Sequence, residues 1–254
     1  MEIKRNQKYF SSKGINVILI VGLVICLVGA VLLFQHNTRP FGLVIMLVGS
    51  AVAVYGSGAK SGEAEIDNQI HGIVKDLPEQ AQIKHEVYER HFLKIINPVL
   101  LKGFDYSAKD LLCKKGPDHK YRTQAYNAAQ LYFTREKIYI YGRHISLVDD
   151  SEGANHEISN VIAYENVQRA YVDPTTVKVA GRDVKVFYFV IELKDGTEAL
   201  RISVDYGADV DKACDDINHV TEKMTVFAIE RAADKAAKRA FLREQDAKKA
   251  AANA

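Results

Sequence analysis

Two apolar runs near the start of the chain, residues 15–34 and 41–55, limit what everything after them can become. The first holds 20 residues without a charge, with Asn16 its only strongly polar side chain. At 1.5 Å per residue it spans ~30 Å, the thickness of a bilayer's hydrocarbon core. The second opens at Arg39-Pro40, where proline suits a first helical turn because no N–H is needed there. Carried through Gly56-Ser57-Gly58-Ala59 it reaches 19 uncharged residues, or ~28 Å. Only residues 35–39 lie between the two. The sequence therefore predicts a two-helix transmembrane hairpin over residues 15–59.

Two other readings fit less well. A cleaved signal peptide has an apolar region of roughly 7–15 residues with small residues just after it. Here Phe34-Gln35-His36 follows the first run, and Ala51-Val52-Ala53 lies inside the second. A soluble hairpin of core helices would carry a polar face, and neither run has one.

Basic residues set the orientation. Lys4, Arg5, Lys8 and Lys13 precede the first run, whereas the connection between the runs has only Arg39. The excess of positive charge belongs on the cytoplasmic side. Residues 1–14 are thus a basic cytoplasmic N-terminus, and two crossings return the C-terminus to the same face. The expected location is the cell inner or plasma membrane. Gly22 and Gly29 on the first helix, and Gly42, Gly49 and Gly56 on the second, recur every seven residues, close to two turns. Each set lines one stripe where backbones can come close. The expected role is packing the hairpin on itself, with use as an oligomer interface left open. Neither run contains an ionisable side chain other than Cys26 and Tyr55 near the end, which argues against an ion path.

The remaining chain has room for one domain of ordinary size. The net charge of +2 gives no bias toward nucleic acid. Cys113 and Cys214 would face a reducing compartment as free thiols. Residues 63–97 read as a helical connector. Its apolar positions are Ile66, Ile70, Ile73, Val74 and Leu77, then Pro78, then a second helical stretch over 79–96. Its acidic residues, Glu63, Glu65, Asp67, Asp76 and Glu79, disfavour lying on anionic lipid.

Past Pro98 the period shortens. Strands are predicted over 99–104, 121–134, 137–141, 145–148, 167–172, 175–179 and 184–193, with Lys194-Asp195-Gly196 turning into a strand that alternates cleanly through Val204. Polar loops fall at 114–120 and 149–155. From Asp209 a helix carries Val210, Cys214, Ile217, Val220, Met224 and Phe227 on one stripe. Residues 230–254 are an Ala/Lys/Arg-rich tail, helical or disordered, with an acidic partner or anionic headgroups as an alternative contact.

Three stretches carry a resemblance: Leu131-Tyr132-Phe133-Thr134-Arg135-Glu136-Lys137-Ile138-Tyr139, Ile162-Ala163-Tyr164-Glu165-Asn166-Val167, and the Lys194-Asp195-Gly196 hairpin before the last strand and helix. Together they resemble bacterial pleckstrin-homology (PH) and GRAM-type domains, over roughly residues 99–229. The resemblance implies an α+β domain at 98–229: about seven antiparallel strands in a PH-like barrel or sandwich capped by a C-terminal helix. It also implies a binding or scaffolding role, not an enzyme, in a bacterial membrane protein. The long connector and the insertion near 114–120 depart from the simplest members. Lipid-binding members use basic residues of the first strands and their loop, which here are Arg135, Lys137 and Arg143, near His144. Tyr139 and Tyr141, if outward, offer a partner surface; the other reading makes them half-buried sheet residues.

Catalytic signatures are weak. His85 and Glu89 have helical spacing, but the second histidine of His85-Glu86-Val87-Tyr88-Glu89-Arg90-His91 is six residues on, not the four a zinc helix needs. Cys113 with His119, and Cys214 with His219, are poorer pairs. No nucleophile elbow or phosphate loop occurs. The expected protein is therefore a membrane-anchored module without cofactor or metal. It presents its domain to a protein partner, or to an anionic lipid headgroup. An accessory subunit of a larger transport or secretion complex is the rival reading, and a membrane-bound enzyme the third.

Overall fold

The computed structural model describes residues 2–11, 17–34, 39–58, 62–108, 110–179 and 181–252. In chain order the elements are α1 (Ile3–Ser11), α2 (Val17–Leu33), α3 (Arg39–Gly58), α4 (Glu63–Lys75), α5 (Leu77–His85) and a 3-10 turn (Glu89–His91). Strands β1 (Val99–Phe104), β2 (Cys113–Lys115), β3 (Tyr121–Thr123), β4 (Ala125–Phe133), β5 (Lys137–Ser146) and β6 (His156–Ala163) follow. A second 3-10 turn (Tyr164–Asn166) leads to β7 (Val167–Val179), β8 (Arg182–Leu193), β9 (Glu198–Val204) and α6 (Ala208–Ala252). The fold is α+β, with antiparallel sheets and a C-terminal helix. The chain divides into two compact units. One is Met1–Val74, Tyr106–Tyr126 and Ile145–Asn155; the other is Lys75–Asp105, Asn127–His144 and His156–Ala254.

In the first unit α2 and α3 run antiparallel, with Gly22 against Ala53, Gly49 against Cys26 and Gly29 against Met46. A Cβ added to Gly42 would stand 2.8 Å from the Leu33 amide, and one on Gly56 would stand 2.7 Å from that of Leu19. Only glycine permits backbones this close, so the seven-residue repeat is the seam of the pair. Apolar side chains point away from it, with Leu27 and Val54 67% and 70% exposed. Within α3, Arg39–Gly56 has a mean hydropathy of 1.5 and is long and apolar enough to cross a membrane. α2 is apolar throughout its 17 residues. Ile15 and Asn16, which extended the first run, fall outside the described residues, as do 35–38 and most of the hinge at 59–61.

The sequence reading assigned residues 1–14 no element, yet Ile3–Ser11 is a helix with a buried face. Tyr9 and Phe10 are buried in this unit, as are Ile66, Ile70 and Val74 of α4. Asn6 is fully buried; its side-chain amide donates to Leu147 O at 2.9 Å and to Gln69 Oε1 at 2.8 Å. Gln7 donates to Val148 O, and Arg5 pairs with Glu65 at 2.8 Å. The polar insertion at 114–120 folds as the β2–β3 hairpin, not as a plain loop.

The second unit holds most of the four-stranded sheet in the order β1-β4-β5-β6, and a three-stranded sheet β7-β8-β9. They meet where β1 lies beside β9. Asp205 N–H donates to Lys102 O, and a Cβ on Gly103 would sit 2.7 Å from Ser203 O. The core between the sheets includes Leu131, Phe133, Ile138, Ile140, Phe189, Ile191 and Ile202. α6 covers it with Ala213, Cys214, Ile217 and Val220, the three-and-four spacing of a buried helical stripe. Asn218 of α6 exchanges two hydrogen bonds with the Ala170 backbone, 2.7 and 2.9 Å, closing part of the outer edge of β7.

Four boundaries differ from expectation. The strand predicted over 121–134 is two, β3 and β4, which belong to different sheets. The strands predicted at 167–172 and 175–179 are one, because Pro174 lies in an outer strand where a missing N–H breaks no second ladder. Residues 145–146 continue β5, and β6 was not foreseen because its alternation is polar on one face and mixed on the other. The helix predicted over 79–96 stops at His85. Glu86 takes a left-handed conformation (φ 51°), and its N–H and that of Val87 close back onto Ile83 O and Gln82 O. Val87 is thereby buried, while Ile83 and Ile95 stay exposed.

Candidate functional site

That early helix stop shapes an open concavity in the second unit. The segment after α5 doubles back over the turn between β4 and β5, leaving an open groove of about 870 Å³. From the doubled-back segment come His85, Glu86, Arg90, His91, Phe92 and Lys94; from the strand turn come Thr134, Arg135, Glu136 and Tyr139. Phe92 is fixed by stacking on Tyr132, with ring centroids 4.6 Å apart and planes 11° apart. Leu93 N–H donates to Phe133 O, and Phe92 bridges to Thr134. These contacts tie the loop to the sheet edge.

The groove's charge is uneven. Arg90, Lys94 and Arg135 are exposed, and none has a carboxylate within 4 Å among the described residues. Glu136 is already answered by Arg231 at 3.0 Å. His85 Nε2–H donates to Ile140 O at 3.0 Å, and its ring stands edge-on to Tyr139 and Tyr141. His91 receives two N–H groups: the Tyr88 amide faces Nδ1 at 3.3 Å and Arg90 Nε faces Nε2 at 3.2 Å. A neutral imidazole offers one acceptor nitrogen and a charged one none, so one of these donors lacks its acceptor there.

Of the five residues singled out from sequence, Arg135 and Tyr139 line this groove. Lys137 is exposed at the start of β5 and is not among the lining residues. Arg143 lies 3.8 Å from Glu157, which also accepts from Tyr141 and from Lys84. These partners hold the Glu157 carboxyl below its usual range, with Lys84 the largest influence. Tyr141 is buried at 3% exposure against His85, on the face of β5 opposite Ile140, and its hydroxyl donates to Glu157. The presumed cluster of Arg135, Lys137 and Arg143 is thus divided: Lys137 and Arg143 share a face of β5 but stand six residues apart, ~20 Å along the strand, and Arg143 is paired with Glu157. The sequence offered no sign of Arg90, His91 and Lys94 as neighbours of Arg135, since a continuous helix would have carried them past it.

A second polar group crosses the strands of the same unit. His144 Nδ1–H donates to Asn127 Oδ1 at 2.7 Å, and Asn127 Nδ2 donates to Ser203 Oγ at 3.2 Å. Asp105 lies 3.5 Å from the same His144 nitrogen, and the His144 ring stacks on His156 at 4.8 Å. Burial lowers the pKa of His144, with Asp105 opposing. The amide of Asn127 stands between serine and imidazole and cannot take a serine proton, so this is a structural network.

No family model, curated protein or solved structure matches this chain.

The remaining sequence candidates are dispersed. Glu89 faces the neighbouring groove with Pro78 and Gln82. Cys113 is half-buried, its thiol pushed up to about 11 by burial, and Cys214 is buried in the core stripe, pushed up to about 12. Among the described residues no three His, Cys, Asp or Glu side chains gather as metal ligands. Gly22, Gly29, Gly42 and Gly49 all sit in the α2–α3 seam.

Proposed function

We propose that this chain is a membrane-anchored binding module. Two transmembrane helices, α2 and α3, hold a PH-like domain on the cytoplasmic face, and the domain keeps a protein partner close to the bilayer. The observation that carries the anchoring is the contact between α1 and α4. Arg5 pairs with Glu65, and Asn6 with Gln69, so the chain after α3 has returned to where it stood before α2. An even number of crossings does that. The outward-facing leucines and valines of the pair match a solvent of lipid tails, which asks nothing polar of them.

The PH-like reading draws support from strand order: a four-stranded meander, a three-stranded meander, then a helix over the open core. The β2–β3 hairpin is an insertion between the first two strands of that meander. Holding a domain at a surface raises its local concentration for membrane-bound partners, so weak contacts suffice.

Centrifugation and thiol labelling test the reading. Cells expressing the full chain are broken without detergent, and the membranes are washed at alkaline pH. The chain is expected to stay in the pellet. In a background with the native cysteines replaced by serine, Glu2→Cys and Gly62→Cys should react with an impermeant maleimide from one side, and Arg39→Cys from the other. Recovery in the supernatant, or labelling of Glu2→Cys and Gly62→Cys from opposite sides, would refute it.

A further inference from the structure

From the groove between the doubled-back segment and the β4–β5 turn, we infer a docking site for an acidic peptide segment of a protein partner, one carrying an apolar anchor side chain. The inference rests on the chain being a protein-binding module and names the surface that does the binding. It joins residues 85–94, which precede the region of the PH-like resemblance, to the β4–β5 turn inside that region.

Charge supplies the first argument. Arg90, Lys94 and Arg135 oppose one unanswered carboxylate, Glu86, because Glu136 is occupied by Arg231. The surplus donor beside His91 adds an N–H that an incoming carboxylate would satisfy. The site asks for negative charge.

Shape decides what kind of anion. The three cations are exposed, and an isolated ion pair in water is worth little. Between them the wall is apolar and aromatic: Phe92 and Leu93, half-buried, and the ring of Tyr139. A compact ion would leave that wall wet. An extended segment covers it with a leucine or phenylalanine while its carboxylates reach the arginines, and the covered ion pairs then gain from exclusion of water. A flat lipid surface cannot enter the concavity to do the same.

Fluorescence anisotropy of the full chain in detergent micelles provides the test. The probe is a short fluorescein-labelled peptide of Glu and Asp flanking a Leu-Phe pair; its counterpart has Gln and Asn in place of the acids. The acidic probe is expected to bind. Arg90→Gln with Arg135→Gln should weaken it about ten-fold, and Tyr139→Ala several-fold. Lys178→Gln with Arg182→Gln, cations away from the groove, should leave it unchanged. Equal binding of the neutral peptide overturns the inference, as does equal loss in both double variants. So does binding that appears only with vesicles containing phosphatidylserine. Circular dichroism confirms that each variant is folded. Since micelles replace the membrane, failure here leaves the anchoring untouched, and failure of the fractionation test leaves the groove.

Discussion

Arg122 holds Asp67 with both arms of its guanidinium, Nε to Oδ1 at 2.9 Å and Nη2 to Oδ2 at 2.7 Å, across 55 residues of sequence. The same guanidinium also holds Asp118, through Nη1 and Nη2 at 3.0 Å each. With its side chain only 6% exposed, Arg122 ties α4 to the β2–β3 hairpin and closes that hairpin's loop on itself. Bidentate pairs of this kind resist water better than single contacts.

Replacing Arg122 by methionine keeps the bulk and removes the clamp. The melting temperature of the full chain in detergent is expected to fall by roughly 5 °C. The side-chain hydrogen bond from Arg122 holds the Asp118 carboxyl at about 2. A carboxyl so depressed contributes stability that is complete above its unfolded value near 4 and is lost as pH falls toward 2. Melts between pH 2 and 7 should therefore show a steeper acid limb in the native chain than in Arg122→Met. Parallel limbs would show that the clamp does nothing.

His144 predicts a second, milder pH effect. Burial lowers its folded pKa below the ordinary 6.5, so as pH drops the unfolded chain takes up the proton first. Stability should be level above pH 6.5 and decline below it. His144→Gln keeps a hydrogen-bonding side chain and removes the titration, and is expected to flatten that decline. Thermal melts at pH 5 and 7 measure it.

Cys113 and Cys214, raised to about 11 and about 12, hold almost no thiolate at neutral pH. Iodoacetamide at pH 8 is expected to modify both at least ten-fold more slowly in the native chain than in urea. Mass spectrometry of the tryptic peptides reads the two sites separately. Rapid native alkylation of Cys214 would mean that α6 lifts from the sheets.

Gly29 and Gly49 face Met46 and Cys26 with no room for a Cβ. Leucine at both positions should force α2 and α3 apart. Disulfide cross-linking between Cys26 and a cysteine introduced by Ser50→Cys, positions whose side-chain sulfur and oxygen lie 3.5 Å apart, would then fall several-fold against the glycine parent. An unchanged yield would mean that the glycines are not the seam.

How far the sequence disclosed this depended on the range of the forces involved. The apolar runs, the glycine repeat and the stripe through Cys214, Ile217 and Val220 were legible because each is periodic within a few turns. Gly196, at φ 83°, marked its hairpin in the same local way. α1 was hidden, since its apolar face is only Tyr9 and Phe10 over nine residues, and its buried Asn6 is answered by Leu147 O, 141 residues away. The groove was hidden for a related reason: the helix predicted over 79–96 is undone at Glu86 by the burial of Val87 and the stacking of Phe92 on Tyr132. Tyr139 could be singled out from the alternation of its strand, and Arg135 from the resemblance to PH-like domains. Their partners Arg90 and Lys94 arrive by a fold-back that no local pattern encodes.

The 45-residue α6 outlasts its own packing. Its last apolar side chain on the core is Met224, Arg231 still reaches Glu136 of the β4–β5 turn, and the helix runs on from there to Ala252, a further ~32 Å at 1.5 Å per residue. A stiff rod of that length sets a standoff, as a spacer block does. Whatever meets its far end is held about three nanometres from that last ion pair, and shortening the rod by a turn would bring that contact closer by ~5 Å without touching the core.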